Sequence, residues 1–381
     1  MSPMTDLTTT PLTAELIRGA AELEPTAHGL LPHRLPAWAR AQSADPQLAT
    51  VEAQPSGVRV VFRTSATHVE LVALPTRQIL RGVPERPLGV CDLLVDGVLT
   101  DRQTIAGGTT VTVDMATGAV DTVPGEPGRA VFTGLPGADK TVEIWLPHYE
   151  RTELVALRTD APITPAPPSG LRQWLHHGSS ISQGSNAASP STTWPAVAAA
   201  LGGVELTNLG FGGSALIDPF TARTMRDTPA DFISVKLGIN VVNADLMRQR
   251  AFGPAVHGFL DTIRDGHPDT PLLVVSPIYC PIHENTPGPG AFDVAALREG
   301  RMRFVATGEP GPGKLTLTVI RAELARIVAE RAQTDPHLTY LDGLSLYGEP
   351  DHEKLPLPDQ LHPDAETHQL IGRRFAEQVF G

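Results

Sequence analysis

The chain has 381 residues, 41% of them hydrophobic, which is enough for two domains with separate cores. Lys and Arg total 30 against 42 for Asp and Glu; the formal charge of −12 argues against a nucleic-acid partner, which needs a basic face. Cys91 and Cys280 are the only cysteines, so neither a disulfide scaffold nor a four-cysteine zinc site is available.

In chain order, Met1 to Thr13 is polar and lacks an apolar signal core, and no run approaches the roughly 18 apolar residues that cross a bilayer. A cytoplasmic protein is the expectation. Residues 1–47 read as an N-terminal arm with one helical piece, Thr13 to Leu23. From about 48 the pattern changes to short alternating apolar runs between turn residues: Val58–Phe62, Val69–Leu74, Asp92–Val95, Thr110–Val113 and Lys140–Leu146. Asp96-Gly97 is a strong hairpin signal. Five strands with no helical pattern between them predict an antiparallel β-sandwich of the jelly-roll kind over 48–160. Pro162 to Ser169, within a linker at 161–171, is proline-rich and favours extended chain.

From 172 to 381 strands and helices alternate. Strands are expected at Arg172–His177, Val204–Asn208, Phe232–Leu237, Leu272–Ser276 and Leu338–Leu341. Helices are expected at Thr193–Leu201, about Ala244–Arg264, Leu315–Gln333 and Ala365–Phe380. Continuous apolar strands between amphipathic helices indicate a parallel sheet covered on both faces, with functional groups at the strands' carboxyl ends.

The polar signals fall at those ends. Strand one runs into Gly178-Ser179-Ser180, strand two into Asn208-Leu209-Gly210-Phe211-Gly212-Gly213, and strand three into Gly238-Ile239-Asn240. Asp359-Gln360-Leu361-His362 stands just before the last helix. Ser180 needs a base, and His362 can be one. Asp359, three residues earlier, can hold the imidazole in one tautomer. The backbone N–H groups of Ser180 and Gly213 and the amide of Asn240 can bind an oxyanion. Taken singly each motif has a plainer reading: a helix cap for Ser180 or Asn240, a turn for Gly213, an Asx turn for Asp359. Four in order at successive strand ends favour acyl transfer through a serine.

These segments resemble the SGNH (GDSL-type) hydrolase family. Gly178-Ser179-Ser180-Ile181-Ser182 is similar to its nucleophile block, Gly212-Gly213 to its glycine block, Gly238-Ile239-Asn240 to its asparagine block, and Asp359-x-x-His362 to its last block. The resemblance implies a flavodoxin-like three-layer α/β/α domain with a five-stranded parallel sheet. It also implies catalytic Ser180, His362 and Asp359, an oxyanion hole of Ser180, Gly213 and Asn240, and no cofactor. Gly89-Val90-Cys91-Asp92-Leu93-Leu94 resembles a short motif in the β-rich N-terminal domain of one GDSL-like branch, and some carbohydrate esterases also carry a jelly roll before an SGNH domain. Two positions depart from the family pattern: Ser179 replaces its usual acid, and Val241 follows the asparagine where an acid is usual. Neither acid belongs to the triad.

Other residues are assigned more plainly. His283 and Glu284 follow strand four and are candidates for the mouth of the site; a solvated loop is the alternative. His176 and His177 read as packed histidines, and His337, His352 and His368 as surface. Scattered His and Asp lack metal-ligand spacing, so no metal is expected. Gly308 to Lys314 superficially evokes a phosphate loop but reads as an ordinary loop, because its prolines remove N–H donors and Leu315 replaces the hydroxyl residue. The Pro/Gly-rich segment 280–313 is a candidate lid or partner contact. The expected activity is hydrolysis of a small acyl ester on a sugar or another hydroxylated small molecule. An acyltransferase using the same serine is the alternative, and a non-catalytic carbohydrate-binding protein, disfavoured by an aromatic content of 5%, is the third reading.

Overall fold

A computed structural model describes residues 6–115 and 117–381. The chain divides into two units. The first takes the residues up to Arg34, Glu52–Gly170 and the short segment Ser189–Ser191. Two sheets share its core. One is built around His68–Arg81 and Arg151–Thr159, the other around Arg59–Thr64, Lys140–Trp145 and Val90–Val95. The inward residues alternate as a half-buried strand requires: Ala130 and Phe132 are fully buried between exposed Arg129, Val131 and Thr133. With Val60, Phe62, Leu71, Leu93, Val142 and Ile144 they form one apolar cluster.

The Asp96-Gly97 turn joins antiparallel Val90–Val95 and Val98–Thr104, with φ of 47° and 80°, the positive values a type I′ turn demands. Asp92 of the Gly89–Leu94 motif is fully buried and accepts bonds from the Ser189 hydroxyl (2.6 Å) and the Ser191 N–H (2.9 Å).

Three expectations for this unit change. The helix expected over 13–23 is not formed. A 3-10 turn at Ala14–Leu16 gives way to Ile17–Arg18, paired with Val60 and Arg59, and then to strand Glu22–Pro25. Gly19 sits at φ +83°, where a right-handed helix cannot continue. The sandwich is not wholly antiparallel: Thr76–Arg81 pairs in parallel with Thr109–Asp114. Within the proline-rich segment, Ile163–Pro165 pairs antiparallel with the edge of Arg59–Thr64.

The second unit holds Leu35–Val51, Leu171–Ala188 and Thr192–Gly381. Its sheet is parallel, five strands in the order 2-1-3-4-5: Val204–Gly210, Arg172–Gly178, Phe232–Lys236, Leu272–Val275 and Leu338–Leu341. Strands three and four are buried along their whole length, as strands covered by helices on both faces must be. This is the flavodoxin-like order, whose switch point lies between strands one and three. Helices Trp194–Gly202, Pro219–Asp227, Gln249–Gly266, Leu317–Arg331 and Ala365–Val379 flank the sheet. The helix expected over 244–264 is two: a single turn at Ile239–Asn243 and the long Gln249–Gly266, separated by Asp245 at φ +46°. Leu35, from the segment read as an arm, and Leu48 and Val51, from the start of the expected sandwich, pack into this core. No helix among the described residues is long and apolar enough to cross a membrane.

Candidate active site

Ser180 opens a single helical turn, Ser180–Gln183, one residue after strand one. Its backbone N–H is among the first-turn donors that no helical carbonyl can reach, and it has no acceptor among the described residues. Its hydroxyl lies 3.0 Å from His362 Nε2. His362 Nδ1 lies 2.8 Å from Asp359 Oδ2. Against an ionised carboxylate, Nδ1 carries the proton, so Nε2 is the acceptor facing Ser180. Asp359 Oδ1 accepts the N–H groups of His362 (2.7 Å) and Leu361 (2.9 Å), and Asn186 donates to Oδ2 at 3.3 Å. Burial raises the Asp359 pKa, but the His362 contact and these N–H bonds outweigh it, and the carboxyl titrates below its ordinary range.

Two further groups meet at the switch point. Asn240 is buried, and its Oδ1 accepts the Ala215 N–H at 3.0 Å, which leaves the NH₂ end as the free donor. Gly213 has φ +74°, a left-handed conformation that suits glycine. Its neighbour's N–H is committed, Gly212 donating to Gln183 Oε1 at 2.7 Å, while the Gly213 N–H has no acceptor among the described residues. Gln47 fixes the loop from the other side by donating to the Gly212 carbonyl at 2.9 Å. Uncommitted N–H groups at Ser180 and Gly213, beside an amide at Asn240, can stabilise negative charge on a carbonyl oxygen.

Residues 177–370, just over half of the chain, match the GDSL-like Lipase/Acylhydrolase family. The chain belongs to that family. Residues 16–155 match the SsfX3 N-terminal domain. No curated protein matches. Among solved structures, the salicylyl-acyltransferase SsfX3 from a tetracycline biosynthetic pathway is 27% identical, with 97% of this chain and 95% of that one covered and a TM-score of 0.76. A putative GDSL-like lipase from Bacteroides ovatus is 18% identical, covering 98% and 97%, with a TM-score of 0.68. A family two carbohydrate esterase from Clostridium thermocellum, in complex with cellohexaose, is 15% identical, covering 85% and 92%, with a TM-score of 0.56. The last two share the fold. The protein is accordingly an SGNH-type ester hydrolase with a mostly-strand domain before the hydrolase domain.

In this GDSL-like chain two cavities border the site. One, of about 20 Å³, is lined by Ser179, Ser180, Ile239, Pro277, Leu361 and Lys236 among others. The other, of about 190 Å³, is lined by Asn243, Ile282, Phe292, Phe304 and again Leu361. Phe292 and Phe304 come from a hairpin, Gly290–Phe292 with Phe304–Ala306, inside the segment read as a loop or lid. Phe304 donates its N–H to the Asp359 carbonyl at 2.9 Å and sets its ring edge-on to His362, centroids 5.5 Å apart. Sequence reasoning missed Gln47, Asn186, Phe292 and Phe304. Each acts across a long chain separation and carries no local motif.

Four sequence assignments need correction. His283 is fully buried, with Nδ1 donating to the Thr286 carbonyl at 3.0 Å. Glu284 accepts the Cys280 N–H and pairs with Arg321. Both support the loop and line neither cavity. His368 is not on the surface: it accepts the Trp194 N–H at Nδ1 and donates to the Ser185 carbonyl at Nε2, and burial pushes it down to about 4. His352 is half-buried beside Tyr347, 3.1 Å from its hydroxyl. His176 is packed as expected, bridging the hydroxyls of Ser234 (2.7 Å) and Ser182 (2.8 Å), and burial holds it neutral.

Proposed function

We propose that Ser180, His362 and Asp359 hydrolyse a small acyl ester through an acyl-serine intermediate. The observation that carries this is the continuous chain from Ser180 Oγ through His362 to Asp359, at 3.0 and 2.8 Å. His362 takes the Ser180 proton as the hydroxyl attacks the carbonyl carbon. The oxyanion rests on the N–H groups of Ser180 and Gly213 and on the Asn240 amide. His362 then returns the proton to the departing alcohol, and water repeats the sequence to release the acid. His362 must reach the leaving oxygen, so the alcohol portion belongs on the side where Phe304 abuts its ring. A cavity of about 190 Å³ there suits an apolar group the size of a single ring, since a cavity of ~150 Å³ admits benzene. The smaller cavity, which Ser180 itself lines, takes the acyl group.

An acyltransferase is the second reading, because the likeness to the salicylyl-acyltransferase SsfX3 runs through 97% of this chain, N-terminal domain included. The likeness to carbohydrate esterases supports a sugar as the alcohol. Incubation of phenyl acetate with the protein, followed by intact-mass analysis, should show an acetyl group on Ser180. Adding candidate alcohols, including acylatable sugars, then separates the readings: acid alone means hydrolysis, a new ester means transfer. No adduct and no turnover on any ester would sink the triad assignment.

A further inference from the structure

The small cavity beside Ser180 contains two buried polar side chains without partners. Lys236, the last residue of strand three, is 3% exposed and has no hydrogen-bond acceptor or ion-pair partner among the described residues. The carboxylate of Glu284, one turn of chain away from the cavity residue Cys280, is already committed to Arg321. Ser179 is 1% exposed, and its Oγ has no partner either. The walls around them, Ile181, Ile239, Pro277, Ile278 and Leu361, are apolar, and the Cys280 thiol donates to the Gln360 carbonyl at 3.4 Å. Leaving a hydroxyl, and still more an ammonium, unpaired in such surroundings is costly, so buried polar groups are almost always satisfied. Here only an occupant of the cavity can satisfy them.

We propose, resting on the assignment of Ser180 as nucleophile, that Lys236 and Ser179 select an acyl group bearing an oxygen substituent one or two carbons from the ester carbonyl. Lys236 donates to that oxygen, and the Ser179 hydroxyl donates or accepts. A cavity of about 20 Å³ admits a group little larger than a water, so the acyl chain is short. Hydroxyacetyl and its close analogues have the required size and chemistry. Ser179 occupies the position where the family pattern carries an acid. A serine at that position adds no charge to the cavity that Lys236 also lines. Burial lowers Lys236 to about 7, and both its protonation states carry N–H donors.

The test compares phenyl hydroxyacetate with phenyl propanoate, which exchanges a hydroxyl for a methyl. Lys236→Met should lower kcat/KM for the hydroxyacetate at least about tenfold while changing the propanoate less than about threefold. Equal losses on both esters would overturn the proposal. Titration calorimetry on the full wild-type chain serves if Lys236→Met fails to fold. Hydroxyacetate should then bind at least about tenfold more tightly than propanoate; equal binding, as expected of a site that holds only a trapped water, would overturn it. Should the wild-type protein turn over neither these nor any other ester and form no adduct, the Ser180 assignment fails, while the two titrations still decide whether the site selects the oxygen substituent.

Discussion

Asp359 holds His362 twice: Oδ2 lies 2.8 Å from Nδ1, and Oδ1 accepts the residue's own backbone N–H at 2.7 Å. One carboxylate thus sets both the ring and the peptide that carries it. The three-residue spacing makes this possible, because an Asx-type turn returns the chain to the carboxylate. Gln360 sits at φ +69° to close that turn.

The triad should therefore fail in a graded way. Ser180→Ala and His362→Ala should each cut kcat on phenyl acetate by about 10⁶-fold, with unchanged circular dichroism. Asp359→Asn should cost about 10³–10⁴-fold, because an amide can donate to Nδ1 and stabilise the wrong tautomer. Combining Asp359→Asn with Ser180→Ala should add little, which steady-state rates of the double variant will show.

The oxyanion donors lend themselves to a separate measurement. Asn240→Ala should lower kcat by about 10²–10³-fold with KM altered far less, since the amide acts where charge develops. It also removes the acceptor for the Ala215 N–H, so urea denaturation should reveal a loss of about 1–2 kcal/mol. Gln47→Ala removes the one bond to the Gly212 carbonyl from outside the loop. A several-fold fall in kcat is expected, with stability within about 1 kcal/mol.

Phe304→Ala takes away a wall of the larger cavity and the ring that abuts His362. KM for phenyl or benzyl acetate should rise about tenfold, whereas ethyl acetate should respond less, as the lost contacts belong to the ring. A uniform loss across these alcohols would instead place the substrate elsewhere.

Acid sensitivity should trace partly to His368. Burial depresses it to about 4 in the folded chain, against 6.5 when exposed. Between those values the unfolded chain binds the extra proton, so stability rises with pH; the contribution is complete above 6.5 and is lost as pH falls towards 4. The full span is worth roughly 3 kcal/mol at ~1.4 kcal/mol per pH unit. His368→Gln keeps an acceptor and a donor but cannot titrate. Its urea midpoint should be lower at pH 7 and should decline less steeply between pH 6.5 and 4.5 than that of the wild type.

The alternation of strands and helices after 172 and the order of the four polar segments were legible because each is local. Apolar runs of four to seven residues cannot face water on either side, and their ends must carry the loops. Where local pattern competed with pairing, it lost. Thr13 to Leu23 has helical composition, yet the neighbouring strand Arg59–Thr64 offers an edge and Gly19 breaks the helix. The histidines show the same limit. Sequence placed His368 on the surface, but only the packing of Trp194–Gly202 against the last helix reveals that its ring ties the two together.

By itself, then, the sequence determined the chemistry of the parts: a hydroxyl and N–H donors at strand ends, and an imidazole and a carboxylate just before the last helix. The tertiary structure decided what lies between them. Ser180 and His362 are 182 residues apart, and only the sheet order that puts strand one between strands two and three brings the loops of Ser180, Gly213 and Asn240 to one end of the sheet. Cavity walls come from other pieces, Lys236 on one strand and Phe304 on a hairpin, whose positions follow from side-chain packing and leave no periodic trace in the chain.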